Sequence, residues 1–374
     1  MKRFDVVIRG AGAVGSCLAL ALSRQGLAVA LQGADGATRA AAAQREDVRA
    51  YALNAGSVQL LRELKVWDAL PADARCAVYD MHVEGDALGS ALDFSAWTQG
   101  VEALAWIVDT AELERVLAAA VSFAPHVQCV AEGQAQAPLL ALAEGKASST
   151  REQLGVAMPV QRYGHSAVAA RLCSDIAHAG TARQWFRSPD VLALLPFDRP
   201  EPARSWALVW SVPQSRADEL LALPGDAFEH ALADATGGAA GTLRLASERA
   251  AWPLSLARAE QVSGPGWVLL GDAAHVVHPL AGQGLNLGLA DVRALAQVIA
   301  QREAWRELGD ERLLQRYARQ RALPTLAMGQ LTDGLLHLFA SEQPMLRELR
   351  NRGLSLVNGL PPLKRLLTAL ALDA

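Results

Sequence analysis

The sequence predicts an α/β fold: a βαβ opening, a β-rich middle and a helical C-terminal part. Three observations carry that reading. Residues 4–8, Phe-Asp-Val-Val-Ile, form a short β-branched run typical of a buried parallel strand, and Gly10-x-Gly12-x-x-Gly15 follows at once. A helix over 16–25, stopped by Gly26, and a second strand over 27–31 complete a βαβ unit. Strand-like runs recur at 166–171, 191–196, 205–212 and 268–270, and from 284 onward helical signals dominate, punctuated by Pro324, Pro344, Pro361 and Pro362. Between these, 37–65 reads as largely helical, 76–106 as mixed, 111–121 as helix, 125–145 as two brief strands and 226–235 as helix.

The chain has 374 residues, enough for two to three domains, with 35 basic and 39 acidic residues and a net charge of −4. No basic block stands out, so nucleic acid is not an expected partner. Hydrophobic residues make up 51 % but aromatics only 5 %, an aliphatic balance that suits packed helices and an α/β core. No stretch approaches the roughly 18 uncharged apolar residues of a membrane span. The basic start, Met1-Lys2-Arg3, does not lead into a signal-peptide core, because Asp5, Arg9 and the glycines interrupt it. Cys17, Cys76, Cys129 and Cys173 are scattered, with no Cys-x-x-Cys, and read as reduced thiols of a cytoplasmic protein without a zinc site.

Two motifs carry chemistry. In Gly10-x-Gly12-x-x-Gly15 the glycines permit a tight turn, close approach of a diphosphate and close helix–strand packing, while the helix N-terminus offers free N–H groups and positive dipole to the phosphates. The acid that usually holds a ribose at the end of the second strand is missing. Gln32 or Gly33 falls there, with Asp35 just beyond; Gln32 is either a weaker ribose partner or a loop residue. The second motif is Gly271-Asp272-Ala-Ala-His275-x-x-His278-Pro279-x-Ala-Gly282-Gln283-Gly284-Leu285-Asn286-x-Gly288. An aspartate directly after a buried strand can accept hydrogen bonds from a polyol, and a glycine turn opening a helix can aim N–H groups at a developing anion. His275 and His278 lack a third ligand at metal spacing, so no metal is expected, and His275 reads as a structural part of the turn.

These motifs together resemble the flavoprotein aromatic hydroxylases, the p-hydroxybenzoate hydroxylase family, and the 271–288 run is most similar to the ubiquinone-biosynthesis branch. Asp47-Val-Arg49-Ala-Tyr-Ala-Leu53 resembles the segment whose arginine lies near the flavin. Ala143-Glu144-Gly145-x-x-Ser148-x-x-Arg151 resembles a second fingerprint, with Glu144 in place of Asp. Leu192–Pro196, Leu208–Ser211, Tyr317-x-x-x-Arg321 and Thr332–Leu335 continue the likeness in order along the chain. Three departures stand out: Glu144, the absent ribose acid, and a short 121–143 segment.

The resemblance implies a Rossmann-like FAD-binding domain with an inserted β-sheet substrate domain and C-terminal helices. The FAD domain would comprise 1–75, 101–165 and 262–322, the substrate domain 76–100 and 166–261, and the C-terminal helical segment 323–374. It implies FAD as cofactor, held by Gly10, Gly12, Gly15, Gln32, Arg49, Glu144, Gly145, Gly271, Asp272, Gly282, Gln283, Gly284, Leu285 and Asn286. Pro279, Gly282 and Gly284 would form the environment of the reacting flavin ring, with no side-chain base assigned; His82, His165 and Tyr163 titrate but have no nameable partner. With no second glycine fingerprint, NAD(P)H would serve as a transient electron donor. The implied reaction is hydroxylation of an aromatic ring through a flavin C4a-hydroperoxide, on a polyprenylated phenol of ubiquinone biosynthesis. The alternatives are a non-catalytic scaffold relative in a quinone-biosynthesis complex and a hydroxylase of a soluble aromatic compound. A membrane-resident substrate adds a peripheral contact at the inner membrane to the expectations. The stretch 360–372 is either an interfacial helix or a helix packed on the FAD domain.

Overall fold

The computed structural model describes residues 2–33, 47–85, 90–277 and 283–340. Its first layer is a six-stranded sheet in the order Ser263–Gly264, Trp267–Leu269, Leu139–Leu142, Val6–Arg9, Val29–Gln32, Val127–Cys129. All neighbours are parallel except the Ser263–Gly264 edge pair. Parallel strands covered on both faces must be apolar throughout, and Val6, Ile8, Val29, Leu139, Ala141 and Val268 are fully buried. The helices Ala13–Ser23, Thr110–Phe123 and Gln283–Ala300 supply Leu18, Leu22, Leu113, Leu117, Leu289, Val292 and Leu295 to the same core. Segments far apart in the chain thus close one layer, the one that carries the glycine loop expected to meet a nucleotide.

The second layer is a nine-stranded sheet. Its main path runs His275–Val276, Ala250–Arg258, Val160–Ser174, Ser205–Pro213, Asp190–Phe197, Thr181–Arg187, Asp80–Glu84, Ala91–Ser95, and Leu243–Leu245 pairs with Val160–Ser174. Asp80–Glu84 lies parallel to Thr181–Arg187, whereas the other pairings are antiparallel. Alternation sorts its side chains. One face carries Val168, Leu172, Leu192, Leu194, Leu208, Trp210 and Val212 and packs on the helices Gln214–Ala222 and Gly225–Thr236 through Ala217, Leu220, Phe228 and Leu232. The register puts Ala167, Ala169, Ala193, Ala207, Ser211 and Trp252 on the other face. Arg171 shares that face, and its guanidinium donates to the Arg49 carbonyl at 2.6 Å. The small-residue face therefore turns toward the nucleotide layer. A three-stranded sheet of Ala50–Leu53, Ala105–Asp109 and Arg75–Val78 joins the two, with Val78 and Ile107 packed against Ala182 and Phe197.

The structure corrects several sequence expectations. Within 37–65, residues 37–46 lie outside the described part, and Ala50–Leu53 is a strand paired with Ala105–Asp109 rather than helix. The helix begins only at Ala55, where the Asn54 side chain accepts the Ser57 N–H at 2.8 Å and starts a new element. The glycine-loop helix starts at Ala13 because Gly12, not Ser16, is its N-cap. Val160–Ser174 begins before the expected domain limit at 165/166, crossing it at a bulge between Arg162 and Ser166. The helix Glu311–Ala340 runs through the expected limit at 322/323 with Pro324 inside it. Residues 341–374, including 360–372, lie outside the described residues. Among the described residues no helix is long and apolar enough to cross a membrane.

Candidate active site

The glycine loop links the first strand to the helix Ala13–Ser23, and each glycine meets a different demand. Gly10 has φ +102°, and a Cβ there would collide with the Ala143 carbonyl. A Cβ at Gly15 would strike the Gly10 carbonyl, so this glycine lets helix and loop touch. At Gly12 a Cβ would meet nothing within 4 Å. Among the described residues the space over Gly12 is open, at a helix N-terminus with no side-chain cap, where the Ser16 N–H donates to the Gly12 carbonyl at 2.9 Å. Uncapped N–H groups facing free space suit a diphosphate.

Gln32 ends the adjacent strand and is 5 % exposed. Its Nε2 donates to the Ala131 carbonyl at 3.3 Å, and its Oε1 is buried without a partner among the described residues. An orphaned acceptor beside a phosphate-binding loop fits a ribose hydroxyl, the weaker substitute for a carboxylate.

The second motif leaves the strand Trp267–Leu269 through Gly271, at φ +58°. A Cβ at Gly288 would press on Val14 and on the Gly271 Cα, so the two glycine motifs meet at Val14, Gly271 and Gly288. Asp272 is exposed between buried neighbours. The surrounding protein pushes its carboxyl up, against the pull of His275, Lys146 and Arg49. The charges of Lys146 and Arg49 act on this carboxylate, which can accept from polyol hydroxyls. Behind the turn lies Asp291, 1 % exposed. Its Oδ2 accepts the Gly271 N–H at 2.9 Å and His275 Nε2–H at 2.7 Å, and its Oδ1 accepts Arg321 Nε–H at 2.7 Å. Burial alone would raise this carboxyl, but His275, Arg321 and the Gly271 N–H outweigh it and hold it below the usual range. Tyr317, one turn from Arg321, donates its hydroxyl to the Leu269 carbonyl at 2.8 Å. His275 is thus a structural member of the turn.

The side chains of Glu144 and Asn286 bond within the protein. Glu144 accepts from the Ser148 hydroxyl at 2.5 Å, the Thr150 hydroxyl at 2.8 Å and the Thr150 N–H at 3.3 Å, all inside its own loop. Arg151, 5 % exposed, donates to the Ala273 carbonyl at 3.3 Å and ties that loop to the Asp272 turn. Gly145 has φ +77° and open space around it. Asn286, 1 % exposed, accepts the Ser57 hydroxyl at 2.7 Å and the Asn54 N–H at 3.1 Å, and donates to the Ala52 carbonyl at 2.9 Å. Leu285 is buried, and a Cβ at Gly284 would meet nothing within 4 Å, so the start of the helix Gln283–Ala300 is open there. His278, Pro279 and Gly282 lie outside the described residues.

Arg49 grips Asp47 through Nε at 2.9 Å and NH2 at 2.6 Å. Burial raises the Asp47 carboxyl, but Arg49 and Arg171 bring it below its ordinary value. Tyr51, beside Arg49 and flanked by Glu114, Asp47 and Asp272, is pushed up to about 12, chiefly by burial. Glu114 and Asp291 carry no motif of their own in the sequence, and only the fold brings them beside the 47–53 segment and the Asp272 turn. His82 sits between Asp93, at 2.6 Å, and Glu84, at 3.2 Å, in the Asp80–Glu84 and Ala91–Ser95 hairpin, and His165 Nδ1 bonds the Tyr163 carbonyl at 3.0 Å. Both histidines bond partners within their own hairpin or strand.

Parallel sheet, open glycine loop and an exposed aspartate just after a buried strand define a dinucleotide-binding class of fold. The family model described as an FAD binding domain matches residues 111–330, more than half of the sequence, and the chain belongs to that family. It is 29 % identical to the ubiquinone hydroxylase UbiL of Rhodospirillum rubrum over 98 % of this chain and 88 % of that one. It is 30 % identical to the 3-demethoxyubiquinol 3-hydroxylase of Escherichia coli over 96 % of each chain. Its fold matches that of pqsL, a probable FAD-dependent monooxygenase from Pseudomonas aeruginosa, with a TM-score of 0.76 and 20 % identity, covering 95 % of this chain and all of that one.

Proposed function

We propose that this protein is an FAD-dependent monooxygenase that hydroxylates the aromatic ring of a polyprenylated phenol in ubiquinone biosynthesis. The observation that carries this reading is that likeness to the ubiquinone hydroxylases runs over nearly the whole chain, through both sheets, rather than over the nucleotide layer alone. The residues fit FAD. The open N-terminus at Gly12 would take the diphosphate, Gln32 the adenosine ribose, Asp272 the ribityl hydroxyls, and the N–H groups at Gly284 and Leu285 the negative charge that develops on the ring. Arg49 lies on the same side as Asp272, where its cation acts on either. Bound there, FAD supplies the activation of O2, which protein side chains alone cannot perform.

The protein's own part is positioning. Gly271 and the Asp291 carboxylate fix the Asp272 turn, Asn286 fixes the helix that faces the ring, and Arg171 holds the large sheet against Arg49. The small-residue face carrying Ala167, Ala169, Ala193 and Ala207 gives an apolar wall toward the nucleotide layer, suited to an apolar substrate and to water exclusion. NAD(P)H would deliver electrons without a nucleotide domain of its own. A prenylated substrate resides in a bilayer, so a peripheral membrane contact and membership of a quinone-biosynthesis complex belong to the same proposal. The test is complementation of a strain lacking a ubiquinone hydroxylase. Restored ubiquinone with wild type and its loss with Asp272→Ala are expected; no restoration by wild type would favour the scaffold alternative.

A further inference from the structure

The helix Gln283–Ala300 reaches the flavin side of the molecule twice. Its N-terminus opens at Gly284, and one turn after Leu287 its Asp291 points back beneath the Asp272 turn. Asp291 touches no part of the expected cofactor surface. It is 1 % exposed and spends both oxygens inside the protein: on Gly271 N–H at 2.9 Å, on His275 Nε2–H at 2.7 Å and on Arg321 Nε–H at 2.7 Å. Gly271 and His275 bracket Asp272 in sequence, so this one carboxylate pins both ends of the turn that presents Asp272. Arg321 comes from a different element, the helix Glu311–Ala340, and its NH2 also reaches the Leu287 carbonyl at 3.4 Å. Tyr317 on that helix holds the Leu269 carbonyl, at the end of the strand feeding the turn.

A buried carboxylate with three charge-assisted or amide donors has its geometry fixed by all of them together. Removing the Arg321 cation leaves Asp291 buried with its charge undercompensated, which loosens its hold on Gly271 and His275. We propose that Asp291 is a positioning residue for FAD, and that through Arg321 it makes the Asp272 turn depend on the docking of the helix Glu311–Ala340. The dependence runs in both directions by linkage: FAD held by Asp272 firms the seat of that helix, and loss of the helix contact weakens FAD. This rests on the assignment of Asp272 to FAD made above, and it adds a control residue remote from the cofactor.

The test uses the full chain and two readouts. FAD affinity is measured by equilibrium titration for wild type, Arg321→Lys, Arg321→Ala, Asp291→Asn, Asp272→Asn and the Asp272→Asn/Arg321→Ala double variant. Amide hydrogen exchange over 270–275 is followed without FAD. Arg321→Ala and Asp291→Asn are expected to weaken FAD about tenfold and to speed exchange at the Gly271 amide, with Arg321→Lys in between. In the Asp272→Asn background the Arg321→Ala loss shrinks to about twofold, because both substitutions act through one turn. Arg321, at the rim of the buried cluster, provides a variant that folds if Asp291→Asn does not. Unchanged exchange at Gly271 in Arg321→Ala, or an FAD loss that adds in full to that of Asp272→Asn, overturns the proposal. Faster Gly271 exchange in Arg321→Ala with unchanged FAD affinity overturns the positioning role, whereas unchanged FAD affinity in Asp272→Asn overturns the assignment of Asp272 to FAD on which it rests.

Discussion

The Ser57 hydroxyl donates to Asn286 Oδ1 at 2.7 Å, joining the start of the helix Ala55–Glu63 to the first turn of the helix Gln283–Ala300. Asn286 also takes the Asn54 N–H and gives an N–H to the Ala52 carbonyl. Asn286→Ala would leave these buried partners unpaired at about 1–3 kcal/mol each where water cannot replace the bond. The expected loss is about 2–4 kcal/mol in urea unfolding, with the transition slope unchanged. A loss under about 0.5 kcal/mol would show that the three bonds are made equally well to water.

Gly12 and Gly15 separate ligand binding from folding. Gly12 sits at φ −71°, which an L-residue adopts freely, and a Cβ there meets nothing. Gly12→Ala is therefore expected to leave the FAD-free protein as stable as wild type, or stabler by up to about 1 kcal/mol, while weakening FAD about tenfold or more. Gly15→Ala drives a Cβ into the Gly10 carbonyl and is expected to cost about 1–3 kcal/mol of stability before any ligand is added. Thermal unfolding with and without FAD distinguishes the two patterns.

Arg49 is a cofactor candidate whose pairing with Asp47 is partly exposed, at 45 % and 20 %. A solvent-exposed pair contributes about 0–1 kcal/mol, so Arg49→Ala should change stability by no more than that. If Arg49 acts on FAD, the FAD dissociation constant rises several-fold, and the effect shrinks with added salt. Equal FAD affinity for the variant at low salt would assign Arg49 to scaffold alone.

The cysteines give a pH signature. Burial pushes the thiols of Cys17 and Cys76 up to about 12. In the unfolded chain they ionise near 9, so their contribution is fully present below that pH and is lost as pH rises from about 9 toward 12. The midpoint of thermal unfolding is expected to fall across that window, less steeply in Cys17→Ala/Cys76→Ala. At pH 8 a thiol-specific reagent should label exposed Cys129 first and reach Cys17 and Cys76 only on unfolding.

Much of the site was legible because it rests on backbone demands that only particular residues meet. Gly10 and Gly271 need positive φ, Gly15 and Gly288 need close approach, and these glycines form short motifs at fixed spacing. The strand Val6–Arg9 and its neighbours were legible from β-branched runs. What was not legible depends on contacts between remote segments. Asp291 looks in sequence like one acid on an amphipathic helix, and only the return of Arg321 makes it a hub. Residues 50–53 lie in a stretch whose local pattern favours helix, whereas pairing with Ala105–Asp109 makes them strand. Glu144 matched a fingerprint position, yet its longer side chain reaches its own loop hydroxyls at Ser148 and Thr150.

The most direct measurement of the proposed reaction follows the oxygen atom. Flavin-loaded protein is given NAD(P)H, a short-chain prenylated phenol and isotopically heavy O2, and the product is weighed by mass spectrometry. A ring-hydroxylated product carrying one heavy oxygen, absent in Asp272→Ala, is the expected result. Hydroxylation of a simple soluble phenol with the prenylated one left untouched, or a product whose oxygen comes from water, would contradict it.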